Sequence, residues 1–382
     1  MPALPRVREH SASPVPSIGR DVSMQIEVCR VLCIFFMMYV HVSPGLDAFE
    51  AQLGGVLGGL KTVLIDNLGR ASVPALSVVS GFLVVPALLR SGWVALVRER
   101  FGTLIVPMVF WNVAILALSL AIFHAIGART TVMRALTDTT PLGVAASRVL
   151  SLDYGGATTA LNFLRDVFVC VLLSPLLLSG VRRAGWLFVA ALWAAGLAVG
   201  FAPLVYRPGI LMFFTVGMIA AQRHGRLALP TAVTAAVVAA GVAIEFARWR
   251  GWWVPSGGLA RSADETVRRV VFSVLILAVS LPLGRTAAGA VLARFEPPIY
   301  LVFLGHSVAF MLAWGAWQKV FGTDLDFPYV VFFLLAPPAW MLLARLLWGP
   351  ATRLPPGLQR LFKGKASRPG TGRRGSRPLP AA

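Results

Sequence analysis

The chain has 382 residues, 57% hydrophobic and only 13% charged, with a mean hydropathy of +0.76. That balance excludes a soluble domain of this length and points to an all-α, polytopic membrane bundle, because apolar segments recur to residue 348. The formal net charge of +19 lies largely in connections and the tail, where it reads as a topology signal and not as a nucleic-acid surface.

Residues 1–23 are polar and lack a signal-peptide core, so they are expected to stay in the cytosol. A hydrocarbon core of about 30 Å needs roughly 20 apolar residues. Segments of that kind fall near 24–44, 70–90, 103–125, 160–180, 185–204, 208–222, 228–248, 268–288, 298–319 and 328–348. About ten spans follow, with both termini cytoplasmic and 208–222 the weakest because "GILMFFTVGMIAAQ" is short. This ten-span layout puts 21 Lys and Arg inside and 12 outside, and the short inner loops are regularly basic.

The outer excess gathers at the 249–267 loop and its flanks (Arg248, Arg250, Arg261, Arg268, Arg269), either a solvated loop or a surface for an acidic substrate. The connection 126–159 carries small and polar residues that suit a partly ordered loop near a pocket mouth. A transmembrane domain thus covers 24–348, and the basic stretch 349–382 reads as a disordered cytoplasmic tail. Cys29, Cys33 and Cys170 sit inside apolar segments, where a disulfide or zinc framework is not expected; the i, i+4 pair Cys29/Cys33 faces lipid or packs.

The first span, "IEVCRVLCIFFMMYVHV", holds Glu27, Arg30 and His41. Ionisable groups at bilayer depth are costly and usually functional. In an ideal helix Arg30 and His41 are about 16 Å apart and within roughly 20° of one face. They could serve opposite ends of a long ligand, such as an acyl-CoA arm with phosphates at one end and a thioester at the other. Glu245 can pair with Arg248 or Arg250, and His124 and His224 fall at helix ends and read as interfacial.

Five elements carry a family resemblance. They are Arg30 and His41; Pro74, Ser80, Gly81 and Phe82 in "ASVPALSVVSGFLVVPALL"; Arg98, Arg100 and Pro107 in "RERFGTLIVP"; Arg165, Asp166 and Pro175 in "NFLRDVFVCVLLSPLL"; and Tyr300 and His306 in "IYLVFLGHS". Together, over about 20–345, they resemble the acyltransferase-3 group of integral-membrane O-acyltransferases. Thr103 stands where that group often has a further Arg.

The resemblance implies a multi-pass enzyme of a bacterial inner membrane. It would move an acyl group, acetyl from acetyl-CoA or else succinyl or another acyl, to a hydroxyl of an extracytoplasmic glycan, free or lipid-linked. No metal is implied. Such transfer needs a base, a holder for the thioester and a group for the oxyanion. His41 is the candidate base, or else an acyl carrier. Asp166 pairs with Arg165 or orients the imidazole, while Arg165 stabilises the oxyanion, binds sugar, or forms a purely structural ion pair. Arg30 neutralises Glu27 or meets a donor phosphate. Arg98 and Arg100 anchor the cytosolic mouth or bind CoA phosphates. Ser80 offers a ligand hydrogen bond beside Gly81, which permits close packing. His306 touches the donor or plays a structural part. The rival reading, a secondary transporter, calls for Gly/Pro-broken spans in two related halves, a symmetry not visible in the sequence.

Overall fold

The computed structural model describes residues 19–42, 55–127, 142–152, 158–223, 225, 227, 229–322 and 327–364. The N-terminal segment 1–18, His224, much of the 126–159 connection and the tail from 365 lie outside the described residues. The chain runs through α1 (Arg20–Tyr39), α2 (Leu57–Ser91), α3 (Trp93–Ala125), a short α4 (Leu142–Val149), α5 (Asn162–Leu172), α6 (Ser174–Ala184) and α7 (Trp186–Ala198). It continues through α8 (Pro208–Arg223), α9 (Thr231–Trp249), α10 (Gly258–Gly284), α11 (Ala287–Ala293), α12 (Ile299–Phe321), α13 (Pro328–Arg353) and α14 (Pro356–Lys363).

Seven of these helices are long and apolar enough to cross a membrane. The pair α5 and α6, bent by 64°, makes an eighth if counted as one span. Pro175 opens α6 at that bend; lacking an N–H and crowding the carbonyl four residues back, it cannot continue α5 straight. The expected spans at 185–204 and 208–222 are instead helices of 13 and 16 residues. At 1.5 Å per residue these reach only about 20 and 24 Å. Helices α2 and α3 are separated by Gly92 alone, whose φ of 75° an L side chain rarely adopts, so the chain can reverse there.

The short α8 is the centre of the bundle. Ile210, Leu211, Phe213, Phe214, Met218 and Ile219 are all buried, and α8 lies along α2 as the most extensive helix pair. Two glycines allow this approach. A Cβ added to Gly81 would overlap the carbonyl oxygen of Phe214, and one added to Gly217 would overlap that of Val78. Between helices that gain little from excluding water, such backbone-to-backbone closeness supplies the dispersion energy instead. Cys29 and Cys33 are also fully buried, their Sγ atoms 3.8 Å apart, so they pack within the bundle and do not face lipid.

Residues 349–364 were expected in a disordered tail, but they complete α13 and form α14. Trp111 Nε1 donates to Leu361 O at 3.0 Å, and the Phe362 ring lies 6.0 Å from Trp111 and 6.1 Å from Phe110. The apolar residues of α14, placed at helical spacing, thus hold a basic segment against the bundle.

Candidate active site

A cavity of about 250 Å³ opens between α1, α2, α3, α5 and α12. Its α2 wall is Leu76, Val79, Ser80, Leu83 and Val84, the i, i+3, i+4, i+7, i+8 spacing of one helix face. Arg30, Arg100 and Tyr300 bring the polar atoms. Four of the residues singled out in the sequence, Arg30, Ser80, Arg100 and Tyr300, therefore share one cavity. Arg98 does not join them; it is exposed on α3.

Each polar group has a readable state. Arg30 Nη1 binds Glu296 Oε1 at 2.8 Å, with both side chains about one-third exposed (36% and 28%). The expected i, i+3 partner Glu27 instead accepts from Ser23 Oγ at 3.3 Å. The loop before α12 delivers this closer carboxylate from 266 residues away. Ser80 Oγ donates to Leu76 O at 2.8 Å, a bond within its own helix that leaves only its lone pairs for a ligand. Tyr300 donates to Thr103 O at 2.6 Å, so Thr103 contributes its backbone carbonyl here. Arg100 Nε is buried without a hydrogen-bond partner. An orphaned guanidinium N–H in a cavity wall is costly and suits an oxyanion.

Beyond Phe303, at the far wall, lie two histidines. The His306 ring is 6.1 Å from Phe303 and 5.1 Å from the His41 ring, centroid to centroid. His306 is fully buried, its Nδ1 2.6 Å from Phe303 O and its Nε2 3.4 Å from Ser307 Oγ. A carbonyl only accepts, so Nδ1 is the donor in its bond to Phe303 O. Gly305 leaves room beside it: a Cβ there would lie 2.7 Å from Trp340 Cζ2 and 3.3 Å from Trp111 Cη2. His41 sits just past α1, where Val40 N and His41 N bond Met37 O and Met38 O in a tightened turn. The ideal-helix phase relation with Arg30 therefore ends at Tyr39.

Helix α5 lines the cavity with Phe163, Leu164 and Val167, and between them carries Arg165 and Asp166. These two pair at 2.9 Å, the carboxylate fully buried and the guanidinium 12% exposed. Arg165 also donates to Pro203 O and lies 4.4 Å over the Tyr206 ring, while Tyr206 N donates to Asp166 Oδ1 at 3.4 Å. Asp166 Oδ2 is buried with no partner. Arg207, one residue before α8, donates through Nη2 to Thr159 O at 3.4 Å. Tyr206 and Glu296 join Asp166, Arg165 and Arg30 from distant parts of the chain, so no local spacing marks them. Glu245 likewise pairs across helices, with Arg268 at 2.8 Å, and not with Arg248 or Arg250. Among the described residues no group of three or more His, Cys, Asp or Glu could hold a metal ion.

A family model described as an acyltransferase domain matches residues 25–349. The chain is 28% identical over 331 residues to the succinoglycan biosynthesis protein ExoH of Rhizobium meliloti (strain 1021), covering 83% of this chain and 85% of that protein. No solved structure matches. With a family match over most of its length and at least seven membrane-length helices, the chain is a multi-pass membrane protein and belongs to the acyltransferase-3 family, enzymes that transfer acyl groups.

Proposed function

We propose that the protein takes an acetyl group from cytosolic acetyl-CoA and passes it to a hydroxyl of a glycan at the outer face of a bacterial inner membrane. One observation carries this reading: the arginine-lined cavity between α1, α2, α3, α5 and α12 includes Phe303, in ring contact with His306 and through it with His41. About 250 Å³ lies below the roughly 300–1,000 Å³ of drug-sized pockets. It suits a narrow thioester arm, with the nucleotide end left at the mouth. Arg100, and Arg30 once released from Glu296, would meet the phosphates.

His41 takes the proton of the acceptor hydroxyl as its oxygen attacks the thioester carbonyl. The new C–O bond forms, the C–S bond breaks, and His41 returns the proton to the departing sulfur. Arg165, held by Asp166, would stabilise the oxyanion. His306, with Nδ1 held by Phe303 O, orients the donor end against His41. The likeness to a succinoglycan biosynthesis protein supports an exopolysaccharide acceptor. Mass spectrometry of cell glycans tests the reading, comparing wild type, His41→Ala at matched membrane level, and a strain without the chain. One acyl mass should disappear from both altered strains; its persistence in the strain without the chain contradicts the proposal.

A further inference from the structure

We propose that Asn112 on α3 is a positioning residue for acyl transfer: by clamping the chain at 149–151 and at 158 it fixes where Arg165 stands. This role rests on the reading above, in which Arg165 stabilises the oxyanion.

Asn112 is fully buried, thirteen residues before α3 ends at Ala125. At 1.5 Å per residue it lies about 20 Å from that end, inside the membrane-spanning part. A carboxamide at that depth is costly unless its donors and its acceptor are matched. Here all are used. Nδ2 donates to Val149 O at 2.9 Å and to Ser151 Oγ at 3.3 Å, and Oδ1 accepts from Thr158 Oγ1 at 3.1 Å. The chain that follows α3 therefore turns back against the middle of that helix and is fastened there at two points. Ser151, also fully buried, has a φ of 52°, a conformation that a residue with a side chain keeps only where its surroundings hold it.

Two routes lead from this clamp to Arg165. The first passes through Tyr206. Its hydroxyl donates to Leu152 O, next to Ser151; its ring lies 4.4 Å from the Arg165 guanidinium; its N–H donates to Asp166 Oδ1 at 3.4 Å. The second runs along the chain. Leu161 N donates to Thr158 O at 3.2 Å and Leu164 N to Leu161 O at 2.9 Å, so the turn that opens α5 is built on the residue Asn112 holds. Arg207 Nη2 adds a tie to Thr159 O at 3.4 Å. Arg30, Arg100 and Tyr300, the polar groups of the donor cavity, belong to neither route. Loosening the clamp should therefore misplace the group that meets the oxyanion and spare donor binding.

The test uses the full-length protein in liposomes, with steady-state transfer and hydrogen–deuterium exchange read on the same preparations. Asn112→Ala should lower kcat about tenfold or more with the donor KM changed less than about twofold, and should raise exchange in peptides covering 158–167 but not in α12. Thr158→Val keeps the side chain's shape and removes only the bond to Oδ1; it should show the same pattern more weakly, and it decides the matter if Asn112→Ala does not accumulate. In an Arg165→Lys background Asn112→Ala should cost less than about twofold further, whereas a residue acting only on stability would cost its full factor again. Wild-type exchange over 158–167 in both variants would overturn the clamp, whatever the kinetics. Raised exchange with kcat unchanged in Asn112→Ala while Arg165→Lys is slow, or full additivity of the two substitutions, would overturn the positioning role. Raised exchange together with an Arg165→Lys enzyme as fast as wild type removes the oxyanion reading of Arg165 and leaves the clamp standing.

Discussion

Ser80 and Gly81 are neighbours on α2, yet they face opposite conditions. Gly81 closes on α8 so tightly that no side chain fits, whereas Ser80 opens on the cavity with Leu76, Val79, Leu83 and Val84. One helix thus carries a sealed face and an open one. The lesson concerns rigidity: a cavity inside a membrane bundle persists only if the wall behind it cannot collapse inward, and the glycine seam supplies that wall.

Substitutions on the sealed face should have the largest effects. Gly217→Val should cost about 3 kcal/mol or more through overpacking against Val78 and Phe82, read as loss of folded protein in the membrane fraction. Asp166→Asn leaves Arg165 without its buried charge partner and should cost about 3 kcal/mol in detergent melting, with Arg165→Leu/Asp166→Leu restoring much of the loss without activity. Gly305→Ala presses on Trp340 and Trp111 beside His306, so about 1–2 kcal/mol of stability and a lowered kcat are expected together. On the open side the smallest change is the most telling. Glu296→Gln should alter stability by less than about 1 kcal/mol, because the pair is partly exposed, while lowering the donor KM by freeing Arg30.

Hydropathy alone located most of the helices, since a continuous apolar run of 20 or more residues has few alternatives. At 208–222, the weakest of the expected spans, the helix has 16 residues and is largely buried. Shortness made that stretch the weakest span, whereas a short helix covered on every side by protein needs no membrane length; Gly217 gave no local sign of its partner Val78. The motifs at Arg30, Ser80, Arg100, His41 and His306 were legible, and the fold brings the first three into one cavity and the last two into ring contact. Their charge partners were not. Glu296 pairs with Arg30 across 266 positions, and local i, i+3 spacing had pointed to Glu27.

The central claim is a division of labour in which the arginine cavity binds donor and the histidine pair reacts. Steady-state transfer by purified protein in liposomes, with acetyl-CoA varied on the cytosolic side, tests it directly. Arg100→Gln should raise the donor KM about tenfold with kcat changed less than about twofold. His41→Ala should lower kcat by about 10²–10⁴ with the donor KM preserved. A His41→Ala enzyme with normal kcat, or an Arg100→Gln enzyme that loses kcat while keeping its KM, would contradict the account.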